Sequence, residues 1–173
     1  MIILGKKGLS GAVKIFLDFI FIGGILIFVS LPFTLKMYFD FIGSADSICM
    51  GIFEKYTRLF VNINNNQESY VFFLALLLVT GLFALWIVFN LRKVLKNLNL
   101  MNPFVIDNVR SFKNISISSF VIAICYFIKM FFYNSFLTIV LTMVFVILGL
   151  FSLILSEVFR QAVLVKEEND LTI

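Results

Sequence analysis

Four long apolar segments, separated by polar and charged stretches, dominate the pattern of hydrophobic and polar positions. They lie at about 15–35, 70–89, 115–132 and 136–155. Each is close to the roughly 20 residues with which a helix crosses about 30 Å of hydrocarbon. Each must be helical, because hydrocarbon offers no water to satisfy the backbone. The pattern therefore predicts an all-α integral membrane protein, a four-transmembrane-helix bundle that forms a single membrane domain over 1–173.

Lysine and arginine are unequally divided between the polar stretches. Ten of them fall before the first span, between the second and third spans, or after the fourth, and the other four fall on the opposite side. Cytoplasmic loops carry the excess of positive charge in membrane proteins. We therefore predict a multi-pass protein of the bacterial cytoplasmic membrane with both termini inside. Its outer loop is 36–69, its inner loop 90–114 and its cytoplasmic tail 156–173.

Both loops are predicted to contain a helix. Apolar residues repeat at helical spacing over 52–60, which indicates a short interfacial helix on the outer surface. In the inner loop, Asn102 is placed to cap an amphipathic cytoplasmic helix with Pro103 at its first position. The apolar face of that helix would hold Val105, Val109 and Phe112, and its basic face Arg110 and Lys113.

Small residues recur along the third and fourth spans at spacings of three and four. Such seams allow membrane helices to approach closely. We therefore predict that the two spans pack tightly as an antiparallel hairpin. The seam residues are Ser116, Ser119 and Ala123 on the third span, and Thr138, Thr142, Phe145, Gly149, Ser152 and Ser156 on the fourth.

Two charged residues fall inside predicted spans. A carboxylate in a membrane is a candidate for function, but Asp18 lies only one turn inside the first span. We predict that it pairs with Lys14, four residues earlier. Lys129 lies near the outer end of the third span, and we predict that its amine reaches the headgroups.

The composition fits a membrane protein and offers little catalytic chemistry. The chain is 61% hydrophobic and 14% charged, whereas soluble domains carry about 25% charged residues. It contains no histidine, and its two cysteines, Cys49 and Cys125, lie at different depths. We therefore expect no enzyme activity, metal, cofactor or disulfide bond. The net charge is +4, and we expect the lysine and arginine side chains to lie next to the anionic headgroups of the lipid bilayer. We expect no direct contact with nucleic acid.

Two stretches resemble a known family. The first is Asn-Pro-Phe at 102–104 followed by Asn108, Val109, Arg110, Phe112, Lys113, Asn114 and Ile115. The second runs from Glu157 through Phe159, Arg160, Gln161 and Ala162 to the closing Glu-Asn-Asp-Leu-Thr-Ile, its most specific part. With four spans, these resemble the bacterial membrane-protein family catalogued as domain of unknown function 2975. Phe112 stands where a leucine is more usual, which keeps that face apolar.

The resemblance implies no established activity, but it does imply a partner. Members are often encoded beside a small helix-turn-helix regulator, so the expected partner is a cytoplasmic transcription factor that this protein binds or sequesters. We expect the acidic tail to dock on the basic helix of the inner loop, and the joint surface to bind the partner. The candidate residues are Phe104, Val109, Arg110, Lys113, Glu168, Asn169, Asp170, Leu171, Thr172 and Ile173.

Two other functions stay open at this point. A small transporter or immunity-type protein would act on a membrane-active compound, and should show discontinuous spans or paired polar residues at the midplane. A structural subunit of a larger membrane complex, or a homo-oligomer, would use the small-residue seams as contacts.

Overall fold

The computed structural model describes four long α-helices. The described residues are 9–44, 67–100, 103–132 and 136–171. All four helices are long and apolar enough to cross a membrane, and the described residues contain no strand, so the predicted fold class is confirmed. The predicted outer helix at 52–60 lies outside the described residues. The helices are α1 (Leu9–Ser44), α2 (Gln67–Asn99), α3 (Ile106–Phe132) and α4 (Phe136–Leu171).

The helices are longer than the predicted spans. Both α1 and α4 have 36 residues. At 1.5 Å per residue this corresponds to about 54 Å, well beyond about 30 Å of hydrocarbon. The ends of these helices therefore extend past the apolar layer. Pro32 lies within α1, which continues to Ser44.

The helix predicted in the inner loop is not a separate element. Its residues form the first turns of α3, which continues without a break into the third span. Pro103 is not the first helical residue, because α3 begins at Ile106. The side-chain amide of Asn108 donates a hydrogen bond to the Pro103 carbonyl oxygen at 2.7 Å, which holds Pro103 in the turn before the helix.

Neighbouring helices pack in chain order. α1 packs on α2, α2 packs on α3, and the most extensive interface joins α3 and α4. A buried apolar cluster lies on α2 and α3, and partly buried side chains of α4 pack against it. Its buried members are Ile87, Val94, Phe112, Ile115 and Ile122.

The seam between α3 and α4 is confirmed. Ser116, Ser119 and Thr138 are each at most 1% exposed. The hydroxyl of Ser119 donates to the Ile115 carbonyl, and that of Thr142 donates to the Thr138 carbonyl, each at 2.8 Å. Because these two hydroxyls find partners in their own helix, Ser119 and Thr142 serve as small packing groups in the seam.

The interface between α1 and α2 also depends on glycine. A Cβ atom at Gly24 would lie 2.9 Å from Leu85 Cδ2, and one at Gly81 would lie 2.9 Å from Phe28 Cδ2. Large apolar side chains cover the rest of α1 and are exposed in the protein alone, among them Phe19 at 76%. These side chains provide the surface expected to contact lipid.

Lys129 does not reach outward as predicted. Its side chain is buried, at 8% exposed. The ammonium nitrogen lies 5.5 Å from the centroid of the Phe73 ring on α2, in a cation–π contact. The aromatic ring lies close enough to stabilise the charge inside the protein.

Candidate docking site at the polar end of the bundle

Polar contacts between helices concentrate at one end of the bundle, where α1 and α3 begin and α2 and α4 end. We call it the polar end and define it by Asp18, Arg92, Asn108 and Glu157. The charge distribution of the sequence predicts that this end faces the cytoplasm. Of the candidate partner-binding residues that the structure describes, Phe104 lies just before α3 and the others lie on α3 or α4.

Asp18 pairs with Arg92 on α2 and not with Lys14 as predicted. Arg92 Nε donates to Asp18 Oδ1 at 2.6 Å, and about a third of each side chain is exposed. The Arg92 guanidinium also lies 4.5 Å from the centroid of the Phe21 ring. The pair joins α1 to α2, but its partial exposure limits its contribution to about 0–1 kcal/mol.

Asparagines connect α2 with the start of α3. Asn97 donates to the side-chain oxygen of Asn108 at 2.7 Å, while the Asn108 amide donates to the Pro103 carbonyl. Asn108 is fully buried, at 0% exposed. One side chain therefore fixes both the connecting turn and the end of α2.

A second pair of asparagines lies further into the bundle. Asn114 donates to the side-chain oxygen of Asn90 over a longer distance, 3.4 Å. The Asn90 amide in turn donates to the Trp86 carbonyl at 2.8 Å. Within the described residues, every fully buried side-chain nitrogen and oxygen has a hydrogen-bond partner.

The two family-like stretches meet between α3 and α4. The Ser156 hydroxyl donates to the Val109 carbonyl at 3.0 Å in a buried contact. The Phe159 ring lies 5.0 Å from that of Phe112 and 6.1 Å from that of Phe104, measured between centroids. Val109 is 8% exposed, so this candidate residue belongs to the packed interior and offers no docking surface.

Three other candidate residues on this side are accessible. Phe104 is 44% exposed despite its contact with Phe159. Arg110 and Lys113 are exposed on the surface of α3. Neither of these cations forms an ion pair with a carboxylate of the described residues. Their charges are therefore available to a partner.

The acidic tail continues α4 as a helix and does not fold back onto the basic residues of α3. Val163 is buried, whereas residues 164–169 are exposed. Glu168 and Asn169 are thus exposed, and Asp170 and Leu171 continue the helix backbone. Thr172 and Ile173 lie outside the described residues. An extended helix keeps its backbone hydrogen bonds, which a tail that folded back would have to replace.

A charged group marks the point where α4 leaves the packed region. Glu157 accepts two hydrogen bonds from Arg160, of which the shorter is 2.6 Å, and one from Gln161 at 3.4 Å. All three side chains are exposed on the helix surface. These side chains hydrogen-bond to one another within α4. They therefore form a charged surface but make no contact that binds the tail to α3.

Asn90 and Asn97 were not predicted from the sequence to be residues of this site. Asn90 and Asn97 lie seven residues apart, about two helical turns, which places them on one face of α2. This spacing is the sequence feature from which a polar contact at this end of α2 could have been predicted. Among the described residues, no three acidic or cysteine side chains are grouped so that they could hold a metal ion.

The sequence model of a family described as a protein of unknown function (DUF2975) matches residues 51–173. The chain belongs to this family. The matched part contains α2, α3 and α4 and both resembling stretches, so the family resemblance is confirmed. No curated protein and no solved structure matches the chain. Several residues of the two stretches have structural roles at the polar end, including Asn108 in the turn and Phe104, Phe112 and Phe159 in the aromatic contact.

Proposed function

We propose that this DUF2975 protein is a non-enzymatic regulatory protein of the bacterial cytoplasmic membrane. It binds a small helix-turn-helix transcription factor at its polar end and so holds it at the membrane. The observation that carries this proposal is the exposed end of α4, which continues as a helix beyond its last buried residue, Val163. From Leu164 to Leu171 this end is about 12 Å long.

The exposed end of α4 has the mixed surface that a protein partner recognises. Leu164 is 46% and Val165 57% exposed, and Lys166, Glu167 and Glu168 follow directly. Charged residues at this density favour water over hydrocarbon. An apolar pair on a solvated helix loses its contact with water when a groove on a partner covers it. This makes the end of α4 suitable as a helix that docks in such a groove.

The exposed start of α3 supplies the other part of the proposed surface. Arg110 and Lys113 are exposed and pair with no carboxylate of the described residues, and Phe104 offers an aromatic edge. Since α4 carries acidic residues and α3 carries basic ones, a partner with both charges would be oriented as well as bound. Arginine and aromatic residues are enriched among the side chains that dominate binding energy.

The proposal requires the polar end to be cytoplasmic. Cys49 should then lie outside, and an impermeant thiol reagent should label it on whole cells. In a Cys49→Ser variant the labelling should disappear, since Cys125 lies within α3. A reporter that is active only outside the cytoplasm, fused after Ile173, should stay inactive. An active reporter would contradict the topology and the proposed function together.

Binding is tested with a helix-turn-helix regulator encoded next to the gene, co-expressed and purified with the full chain in detergent. Deletion of Leu164–Ile173, which removes the whole exposed end of α4 and keeps the buried Val163, should leave the amount of membrane protein unchanged and abolish copurification of the regulator. Reversal of Arg110 and Lys113 to glutamate should weaken binding up to about fivefold per residue, and less at high salt.

Lys36→Glu is the matched control, because Lys36 is exposed near the opposite end of α1. It should bind the regulator normally. Normal copurification with the truncated chain would refute docking on α4. A neighbouring exporter gene with no regulator gene would instead favour a transport or immunity function.

A further inference from the structure

A charged crevice opens between α1 and α2 at the polar end, apart from the proposed docking surface. Its volume is about 570 Å³. Two residues of α1 and four of α2 form its walls, and the four on α2 follow the helical spacing of three, one and three. The lining residues are Lys14, Asp18, Phe89, Arg92, Lys93 and Lys96.

The crevice has an excess of positive charge. Four of its lining residues are cations, whereas Asp18 is its one anion, and Arg92 holds that carboxylate at 2.6 Å. The amine of Lys93 lies 3.4 Å from Asp107 at the start of α3. Lys14 and Lys96 form no ion pair with a described residue. An anion that enters the crevice would therefore meet two lysines that pair with no described carboxylate, beside a positioned guanidinium.

Aromatic rings border the crevice on its membrane side. The Phe21 and Phe89 ring centroids are 6.4 Å apart, and those of Phe89 and Trp86 are 5.8 Å apart. Trp86 is 51% exposed. Tryptophan is enriched where hydrocarbon meets headgroups. The row of rings therefore indicates that the cations lie at the depth of the phospholipid headgroups.

An apolar stripe leads away from the crevice along α1. Ile22, Ile25 and Val29 follow Lys14 and Asp18 at spacings of three and four, which places all five on one side of the helix. The three apolar side chains are 60%, 41% and 64% exposed. A molecule with its anionic group in the crevice could thus lay a hydrocarbon chain along this stripe.

We propose that the crevice binds the phosphate group of an anionic phospholipid, with an acyl chain along Ile22, Ile25 and Val29. Basic pockets between transmembrane helices are suited to such headgroups. Free phosphate would satisfy the same cations but would make no use of the apolar stripe. The proposal does not depend on a protein partner at α3 and α4.

The test uses Trp86, the one tryptophan of the chain, as a reporter. The full chain is reconstituted in phosphatidylcholine vesicles that contain either brominated phosphatidylglycerol or brominated phosphatidylcholine, and quenching gives their relative affinities. Phosphatidylglycerol should be preferred. The preference should fall about fivefold for each lysine in Lys14→Gln and Lys96→Gln, from about 1 kcal/mol per cation near an anionic surface.

Two variants separate the crevice from the general charge of this end. Arg110→Gln with Lys113→Gln removes two exposed cations outside the crevice and should keep the preference. Lys14→Arg with Lys96→Arg keeps both charges and should keep it too. Equal quenching by the two brominated lipids in the unmodified protein would overturn the proposal, as would a preference that survives loss of both lysines.

A third arm distinguishes the two sources of phosphate. Inorganic phosphate is added at millimolar concentration, with sodium chloride of equal ionic strength as its control. The two salts should reduce the lipid preference equally, because screening is all that they share. If phosphate alone removes the preference, the crevice binds free phosphate and the lipid proposal is wrong.

Discussion

Replacing Gly149 with leucine should lower the midpoint of thermal unfolding of the purified protein in detergent by roughly 2–12 °C. A Cβ atom at this position would already lie 3.1 Å from Phe120 Cζ and 3.2 Å from two further atoms of that ring. The remaining atoms of leucine must displace the ring or separate α3 from α4. Overpacking of this kind costs about 1–3 kcal/mol, and each kcal/mol corresponds to roughly 2–4 °C at this chain length.

Gly23→Leu is the matched control for this prediction. Gly23 also lies inside a transmembrane helix, but nothing lies within 4 Å of a Cβ atom placed there. The two substitutions change helix propensity and hydrophobicity in the same way and differ only in their surroundings. Gly23→Leu should leave the midpoint nearly unchanged. Equal midpoints for the two variants would mean that α3 and α4 do not pack closely at Gly149.

The α3–α4 seam could be predicted because its information is local. Ser152 and Ser156 repeat with Gly149 at helical spacing, and such a repeat places small groups on one face whatever the rest of the chain does. The structure buries both serines and directs one of them to a carbonyl of α3. What the repeat could not show was the effect on Val109, which became an interior residue because α4 covers it.

The partner of Asp18 could not be predicted for the opposite reason. In the sequence, Lys14 lies one helical turn before Asp18, whereas Arg92 lies 74 positions further along the chain. Only the packing of α1 against α2 brings the guanidinium close, and Phe21 then provides a surface for it. Spacing predicts contacts within a helix, but contacts between helices need the interface itself.

The start of α3 shows a conflict between two local signals. Asn102 and Pro103 have the sequence expected of a helix cap and first turn, and the pattern alone favours them. The structure instead places Pro103 before the helix, where its carbonyl accepts from Asn108. The buried Asn108 side chain needs hydrogen-bond partners for both its oxygen and its nitrogen. The free energy of satisfying them thus outweighs a capping preference that is worth about 1 kcal/mol.

Asn108→Ala should therefore have the largest effect of any single substitution at the polar end. The change removes the acceptor for the Asn97 amide and the donor for the Pro103 carbonyl. A buried polar group left without a partner costs about 1–3 kcal/mol, so the two losses together should cost about 2–4 kcal/mol, the lower value applying if water reaches Asn97. The thermal midpoint in detergent should fall accordingly.

Hydrogen–deuterium exchange should show where this stability is lost. In Asn108→Ala, the amides around 100–110 should exchange faster, because the turn and the start of α3 lose the contact that joins them to α2. Asn114→Ala is the matched control: it removes one hydrogen bond, 3.4 Å long, from the buried Asn90, which should cost about 1–3 kcal/mol but leaves the turn before α3 intact. Its amides at 100–110 should therefore exchange as in the unmodified protein. If the two variants exchange alike over 100–110, Asn108 does not hold the turn.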